Sequence, residues 1–164
     1  SGGADVILIP EISYSLESVT KKIEQVKKSG RNFALVVVSE AVKTPDGKKL
    51  EVEYHGGEMR YGGIGDFLGQ QIAEMTGSET RVTVLGHVQR GGQPTYNDRL
   101  LATAFGVKAV DLIKEKKYNR MVAWQHREVV DVAIDDAIRA YQQINPDSFL
   151  LHTARSLGIS FGES

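Results

Sequence analysis

Residues 33–40 read FALVVVSE, and their first six form the most apolar run of the 164-residue chain. Such a run predicts a central strand, buried on both faces of a parallel sheet. Upstream, residues 5–9 (DVILI), closed by Pro10, predict a second buried strand. A helix joins the two. Ser15 is placed to cap it, Glu17 lies in its first turn, and Leu16, Val19, Ile23 and Val26 share one face. Lys27 and Lys28 suit its C-terminal end, and Gly30 stops it. Downstream, Asp66 is placed to cap a helix carrying Phe67, Leu68, Ile72 and Met75, with Gly77 after it. Residues 81–85 (RVTVL) predict a third strand. A long helix is expected from Asn97 or Asp98. Its apolar residues, among them Leu100, Val107, Val110 and Ile113, nearly surround the axis, which predicts cover on both sides. Residues 120–124 (RMVAW) predict a fourth strand and residues 129–132 an extended or turn-like stretch. A helix with Ile134, Ala137, Ile138 and Tyr141 follows. Pro146 breaks the chain, and Asp147 is placed to cap a last helix with an apolar stripe of Leu150, Ala154 and Leu157.

Strands that alternate with helices predict an α/β domain, a Rossmann-like parallel sheet with helices on both faces. Ligands of such sheets bind beyond the carboxyl ends of the strands. The segments that leave those ends begin at Glu40, Gly86 and Gln125. Residues 44–65 interrupt the alternation. They hold the turn signal Pro45-Asp46-Gly47 and Gly56, Gly57, Gly62, Gly63 and Gly65, while Leu50, Val52 and Tyr54 alternate with polar residues as in a hairpin strand.

Composition excludes several classes. The chain has no cysteine, hence no disulfide or thiolate metal site. Twenty basic and 21 acidic residues give a net charge of −1 with no long basic run, which argues against bulk capture of nucleic acid. No apolar stretch approaches the roughly 20 residues that cross a bilayer. Neither a signal peptide nor an initiator methionine opens the sequence. Its start reads as a cut made inside a larger protein, or as an artificial boundary.

The segment richest in chemistry is residues 81–99, RVTVLGHVQRGGQPTYNDR. Gly86 frees the backbone where the third strand ends, His87 and Arg90 project from the loop, and Gly91-Gly92 permits close backbone approach. A helix N-terminus follows. Cationic side chains, glycines and exposed amides together suit an anion, most naturally a phosphate; the plainer alternative is a glycine turn with a solvated arginine.

The pattern Arg-x4-Gly-His-x-Gln-Arg-Gly-Gly-x5-Asp-Arg is filled at Arg81, Gly86, His87, Gln89, Arg90, Gly91, Gly92, Asp98 and Arg99. It resembles the signature of the 6-phosphofructokinases. DVILIPE, FALVVVSE and the helix after Arg99 occur in that family's order. The resemblance covers nearly the whole chain but only the C-terminal half of a subunit. It implies that residues 1–145 form a sugar-phosphate-binding domain, with an insertion at 44–65, and that residues 146–164 form a helix packing on the N-terminal half. By motif, His87 and Arg90 would hold the 6-phosphate of fructose 6-phosphate. Arg81 would reach the phosphate bound by a neighbouring subunit of a homo-oligomer, and Glu40 would accept hydrogen bonds from sugar hydroxyls. These residue types suit those tasks: arginine is a permanent forked donor, and a carboxylate only accepts.

The family's Gly-Gly-Asp donor loop and its catalytic Asp-x-Asp segment are missing from these residues. Gly56-Gly57-Glu58 and Gly62-Gly63-Ile64 are not expected to replace the donor loop, since neither is expected to follow a strand or open a helix in the right way. Catalytic residues, and the sites for Mg2+ and ATP or pyrophosphate, are therefore expected in the N-terminal half, and this chain alone is expected to be inactive. The insertion resembles the mixed-substrate clade, with ATP favoured as donor. The family's effector site would use Gly3 and Asp5, but Ser29 and Arg31 stand where two lysines are usual, so weak or absent effector binding is expected. The resemblance also implies a glycolytic, cytoplasmic enzyme. A non-catalytic sugar-phosphate sensor and a related kinase with another acceptor remain alternatives. Outside the motif, His55 reads as a loop residue, His126 as a strand-end turn and His152 as solvent-facing. Trp124 reads as packing, residues 114–117 (KEKK) as a solvated helix end, and Asp135-Asp136 as surface.

Overall fold

The computed structural model describes residues 2–54, 58–139 and 143–163, with the backbone alone for 52–54 and 58–61. Its contacts form two compact units, Ser1–Val84 with Ile144–Ser164, and Leu85–Gln143. His55 and Tyr141 lie outside the described residues.

In the first unit, β1 (Val6–Leu8) pairs in parallel with β2 (Val36–Val38), in the register Val6 to Val36. The expected crossover helix, α1 (Leu16–Lys28), lies between them. Ser15 caps it, its hydroxyl accepting from the Ser18 N–H at 3.1 Å, and Gly30 leaves it with a positive φ of 91°. Val6, Leu8 and Val19 are almost wholly enclosed. They form a core with Ile23, Val42, Ile64, Leu68 and Ile72. The opposite side of β1 carries Ile7, packed on a second cluster of Ile9, Ile12, Leu151 and Phe161. The other edge of β1 meets Ser160, which bridges Val6 in parallel. The central position expected for residues 33–38 thus belongs to β1. Phe33, Leu35 and Val37 are exposed, because β2 has a strand neighbour on one edge only among the described residues.

The insertion contains the anticipated hairpin, β3 (Glu51–Tyr54) antiparallel to β4 (Glu58–Tyr61). Next comes α2 (Ile64–Thr76), whose N-cap is Gly63 at φ 81°; Asp66 lies inside the first turn and is not the cap. Gly62-Gly63-Ile64 thus follows a strand and opens a helix, but not in the way a donor loop requires. Ile64 is buried and Asp66 sets a carboxylate in that turn, so the helix end is not shaped to receive a phosphate. Residues 81–85 belong to no ladder among the described residues, and Leu85 is already in the right-handed helical region, so the expected third strand is not formed. They run past α2 at Gly65 and Gly69, one helical turn apart. A Cβ on Gly69 would stand 2.6 Å from Val82 Cγ2.

The second unit holds a short 3₁₀ helix (Gly86–Arg90), α3 (Tyr96–Lys114), the antiparallel hairpin β5 (Arg120–Gln125) and β6 (Glu128–Ala133), and α4 (Ile134–Ile138). The expected fourth parallel strand is one arm of this hairpin, and residues 129–132 are the other. His126 and Arg127 form the turn at φ 50° and 68°, a conformation that Asn-Gly usually supplies. α3 is joined to the hairpin through Asp131. This carboxylate accepts from Arg120 Nε at 2.8 Å and lies 3.3 Å from Lys108 Nζ. The Arg120 hydrogen bond does most to hold its pKa below the usual carboxylate range. Among the described residues the cover expected on both sides of α3 is not found: Leu100, Val107, Val110 and Ile113 are exposed, and Leu112 is the one buried residue of the helix. Trp124, paired with Val129, is 50% exposed rather than packed.

The last helix, α5 (Phe149–Ser156), belongs to the first unit. Ser148, not Asp147, is at its N-cap. Leu151 and Ala154 face the Ile9 cluster, while Leu150 and Leu157 are 63% and 75% exposed. The predicted stripe is thus split between two faces.

After α5 the chain passes beneath α1, where Gly162 has φ 75°. A Cβ there would come within 2.7 Å of Tyr14 Cβ, 3.0 Å of Leu8 Cδ2 and 3.2 Å of Val19 Cγ2. Gly162→Ala therefore combines overpacking with a left-handed alanine. Chemical denaturation should show a loss of about 2–4 kcal/mol. A midpoint unchanged from wild type would contradict this packing.

Candidate functional site

Glu40 stands immediately beyond the carboxyl end of β2. The turn that carries it is anchored on both sides: the Ser39 N–H donates to the Leu8 carbonyl at 3.0 Å, and Val42, buried in the core, donates to the Ser39 carbonyl at 3.0 Å. Glu40 itself is exposed, and its carboxylate has no hydrogen-bond or ion-pair partner among the described residues. It is an acceptor held in place by its backbone and open to a ligand.

Glu11 occupies the equivalent place beyond β1, and the sequence reading assigned it no role. Its Oε1 accepts from the Ile144 N–H at 3.0 Å, while Oε2 is enclosed without a donor among the described residues. The available signal was its position: it follows Pro10 at a strand end, as Glu40 follows the valine run.

Arg81 lies in the segment that follows α2, within the first unit. Its Nε donates to Glu79 Oε1 at 3.0 Å, and the side chain is highly exposed. An exposed pair of this kind contributes little to stability and is readily exchanged for another anion.

In the second unit, Gly86 at φ 49° starts the 3₁₀ helix, and Gly91, whose N–H donates to the Val88 carbonyl at 3.0 Å, closes it. A 3₁₀ helix has three residues per turn, so side chains three apart eclipse. His87 and Arg90 are three apart and thus share one face. Both are exposed, and neither is engaged by another side chain among the described residues. Gly92, at φ 99°, then redirects the chain toward α3.

The start of α3 differs from expectation. Thr95 is the N-cap, with a complete capping box: the Asp98 N–H donates to Thr95 Oγ1 at 3.3 Å, and the Thr95 N–H donates to Asp98 Oδ2 at 2.7 Å. Hydrogen bonds from the Thr95 hydroxyl and N–H hold the Asp98 pKa below its ordinary value. Asp98 of the motif is therefore the third-position partner of the Thr95 cap. A carboxylate thus already occupies this helix end, while His87 and Arg90 are the basic residues that the 3₁₀ turn leaves exposed.

The structure places Glu40 and Arg81 in the first unit, and His87 and Arg90 in the second. Among the described residues no group of three His, Cys, Asp or Glu side chains could hold a metal ion, and no helix is long and apolar enough to cross a membrane.

The surroundings of Asp5 bear on the effector expectation. Arg31 NH1 and NH2 reach its two oxygens at 2.6 and 3.2 Å, and the Leu35 N–H donates to Oδ2 at 2.8 Å. Burial pushes this carboxyl up. The Leu35 amide, the Arg31 hydrogen bond and charge, and Lys22 outweigh burial and lower its pKa below the usual range. Arg31 does not simply lack the role of a lysine here; it occupies the carboxylate itself.

This geometry can be set beside known proteins. The family model for phosphofructokinase matches residues 1–113. The chain is 53% identical over 163 residues to ATP-dependent 6-phosphofructokinase 1 of Nostoc sp. and 55% identical over 161 residues to the protein of that name in Synechocystis sp.. These matches cover 99% and 98% of the chain but 45% of each relative, so the chain spans about half the length of the curated relatives it matches. Among solved structures, Pichia pastoris phosphofructokinase in the T-state superimposes with a TM-score of 0.60 at 29% identity, over 83% of this chain and 15% of that one. A pyrophosphate-dependent phosphofructokinase from Nitrosospira multiformis superimposes with a TM-score of 0.67 at 22% identity, over 97% and 41%, a likeness of fold. The fold is thus the mixed α/β fold of the phosphofructokinases, with a parallel strand pair. The chain belongs to the phosphofructokinase family.

The Asp5 cluster has a consequence for acid stability. A carboxyl whose folded pKa is depressed stabilises the fold above its unfolded pKa, near 4, and loses that contribution as pH falls through the folded value. Stability should be level above about pH 5 and decline below about pH 4, and Asp5→Asn should flatten that decline while costing about 1–3 kcal/mol at pH 7. Denaturation midpoints measured from pH 2 to 7 check this; identical profiles for the two proteins would refute it.

Proposed function

We propose that these residues form the fructose 6-phosphate-binding part of an ATP-dependent 6-phosphofructokinase, a cytoplasmic glycolytic enzyme that converts fructose 6-phosphate to fructose 1,6-bisphosphate. The observation that carries this reading is the pairing of His87 and Arg90 on one face of a glycine-bounded 3₁₀ turn, with neither side chain engaged by a neighbour among the described residues. In this reading the Arg90 guanidinium grips the sugar phosphate with parallel N–H donors and the His87 ring donates a further hydrogen bond, more strongly when protonated. Glu40 accepts from the sugar hydroxyls. Arg81 exchanges Glu79 for the phosphate held by a neighbouring subunit, so the parent protein is a homo-oligomer.

Phosphoryl transfer depends on positioning and on neutralisation of charge. The residues of this chain contribute the positioning of the acceptor. ATP and its Mg2+ are assigned to the other half of the subunit, because the residues at hand offer neither a Gly-Gly-Asp loop nor an Asp-x-Asp base. ATP is favoured over pyrophosphate by the relatives above 50% identity, which are named as ATP-dependent.

Calorimetric titration with fructose 6-phosphate should show Arg90→Ala binding more weakly by about 1.5–3 kcal/mol, the value of a charge-assisted hydrogen bond. Equal affinity for the variant and wild type would remove Arg90 from the site. In a coupled assay, the purified 164-residue chain should form no fructose 1,6-bisphosphate from ATP or pyrophosphate. Turnover that copurifies with the chain would place a base and a donor site within these residues.

A further inference from the structure

An open cavity of about 350 Å³ lies within the first unit, between α1 and the segment that follows α5. Its volume falls in the range of small-molecule sites. Ser18, Lys21, Lys22 and Gln25 line one wall. They are spaced as neighbours along one side of a helix, flanking the buried stripe of Val19, Ile23 and Val26. The facing wall is Arg155 and the backbone around Gly158, whose φ of 84° turns the chain and where the lack of a side chain leaves the backbone open beside Lys22.

The charges in this cavity do not balance. Three cations meet one carboxylate, Glu163, and that carboxylate is already used. Arg155 Nε and NH2 reach its two oxygens at 3.1 and 2.9 Å. Arg155 is further fixed by a bond from NH1 to the Pro146 carbonyl at 3.2 Å, and its guanidinium stands 5.0 Å from the centre of the Phe161 ring. Among the described residues neither Lys21 nor Lys22 is in an ion pair. The field of Lys22 reaches Asp5, but that carboxylate is held by Arg31 and the Leu35 N–H. Two uncompensated ammonium groups thus border a hollow that also offers a serine hydroxyl and a glutamine amide.

We propose that this cavity binds a small phosphorylated anion, its phosphate seated against Lys21 and Lys22 with Arg155 as the fixed wall. Ammonium groups are compact, mobile donors that can converge on phosphate oxygens from two sides, whereas the pre-oriented guanidinium sets the depth of the site. None of these residues belongs to the set Glu40, Arg81, His87 and Arg90, and the proposal does not rest on the role of that set.

The test is an amide NMR titration of the 164-residue chain with inorganic pyrophosphate, without Mg2+ and at constant ionic strength. Saturable shifts are expected at the amides of Gly158, Ile159 and Ser160. Lys21→Gln with Lys22→Gln, changes that keep helix propensity, should weaken the fitted affinity roughly tenfold or more. Lys21→Arg with Lys22→Arg should retain binding, and so should Arg90→Ala. The proposal is overturned if the shifts are confined to residues 86–92 and vanish in Arg90→Ala. It is equally overturned if the double glutamine variant binds like wild type, or if potassium chloride reproduces the shifts without saturation.

Discussion

Asp5, through both its carboxylate and its backbone, ties together three stretches of chain that are far apart in sequence. Its oxygens take up the Arg31 guanidinium and the Leu35 N–H. Its own N–H donates to the Leu35 carbonyl at 2.9 Å, and its carbonyl accepts from the Ser160 N–H at 2.9 Å. A carboxylate this enclosed is costly unless its lone pairs are filled, and filling them sets where β2 starts relative to β1. The register Val6 to Val36 follows, and with it the inward row of Val6, Leu8, Val36 and Val38 against α1 and α2. A slip of one residue would turn that row outward. The same register carries Glu11 and Glu40 just past the ends of adjacent parallel strands, the place where open α/β sheets present ligand-binding groups. The acceptor position of Glu40 is thus a consequence of a contact at the other end of its strand.

The second unit reaches its geometry by different means. His87 and Arg90, the phosphate ligands proposed above, are ordered by turn chemistry: a glycine at each end of a single 3₁₀ turn, and a capping box that ends the loop at Thr95. Asp131 draws Arg120 and Lys108 together, and so ties the hairpin to α3. The motif that identifies the family therefore mixes two kinds of residue. His87 and Arg90 are left open to solvent, while Gly86, Gly92 and Asp98 shape the backbone that presents them.

Features set by local chemistry were legible in the sequence. Ser15 as a cap, Gly30 and Gly77 as helix ends, the parallel pair and the 44–65 hairpin all follow from side chains within a few residues of the element they define. Features that depend on distant partners were not. RVTVL has the composition of a strand, yet a strand exists only where another supplies hydrogen bonds, and this segment lies against a glycine notch on α2 instead. The hairpin of β5 and β6 was hidden because His126-Arg127 is a poor turn sequence that the flanking ladder holds at positive φ. Thr95 was passed over as a cap because Asn97 and Asp98 are stronger candidates by type, although Asp98 serves the cap from the third position. Of the candidate site, residue identities were legible from the motif. The eclipsed face of His87 and Arg90, the occupation of Asp5 by Arg31 and the place of Glu11 needed the backbone.

The first unit is discontinuous in sequence: Ser1–Val84 is completed by Ile144–Ser164. The Ile7 N–H donates to the Ser160 carbonyl and the Ser15 N–H to the Gly162 carbonyl, so β1 and the entry to α1 are finished only by the last stretch of the chain. During synthesis, β1, β2 and the first two helices leave the ribosome long before Ser160 does. Until then these residues supply no partner for one edge of β1, and Ile7, Ile9 and Ile12 lack Leu151 and Phe161. The nascent protein thus passes through a stage in which an apolar edge strand waits for a partner about 150 residues away, the kind of non-local closure that slows folding and calls for chaperone protection.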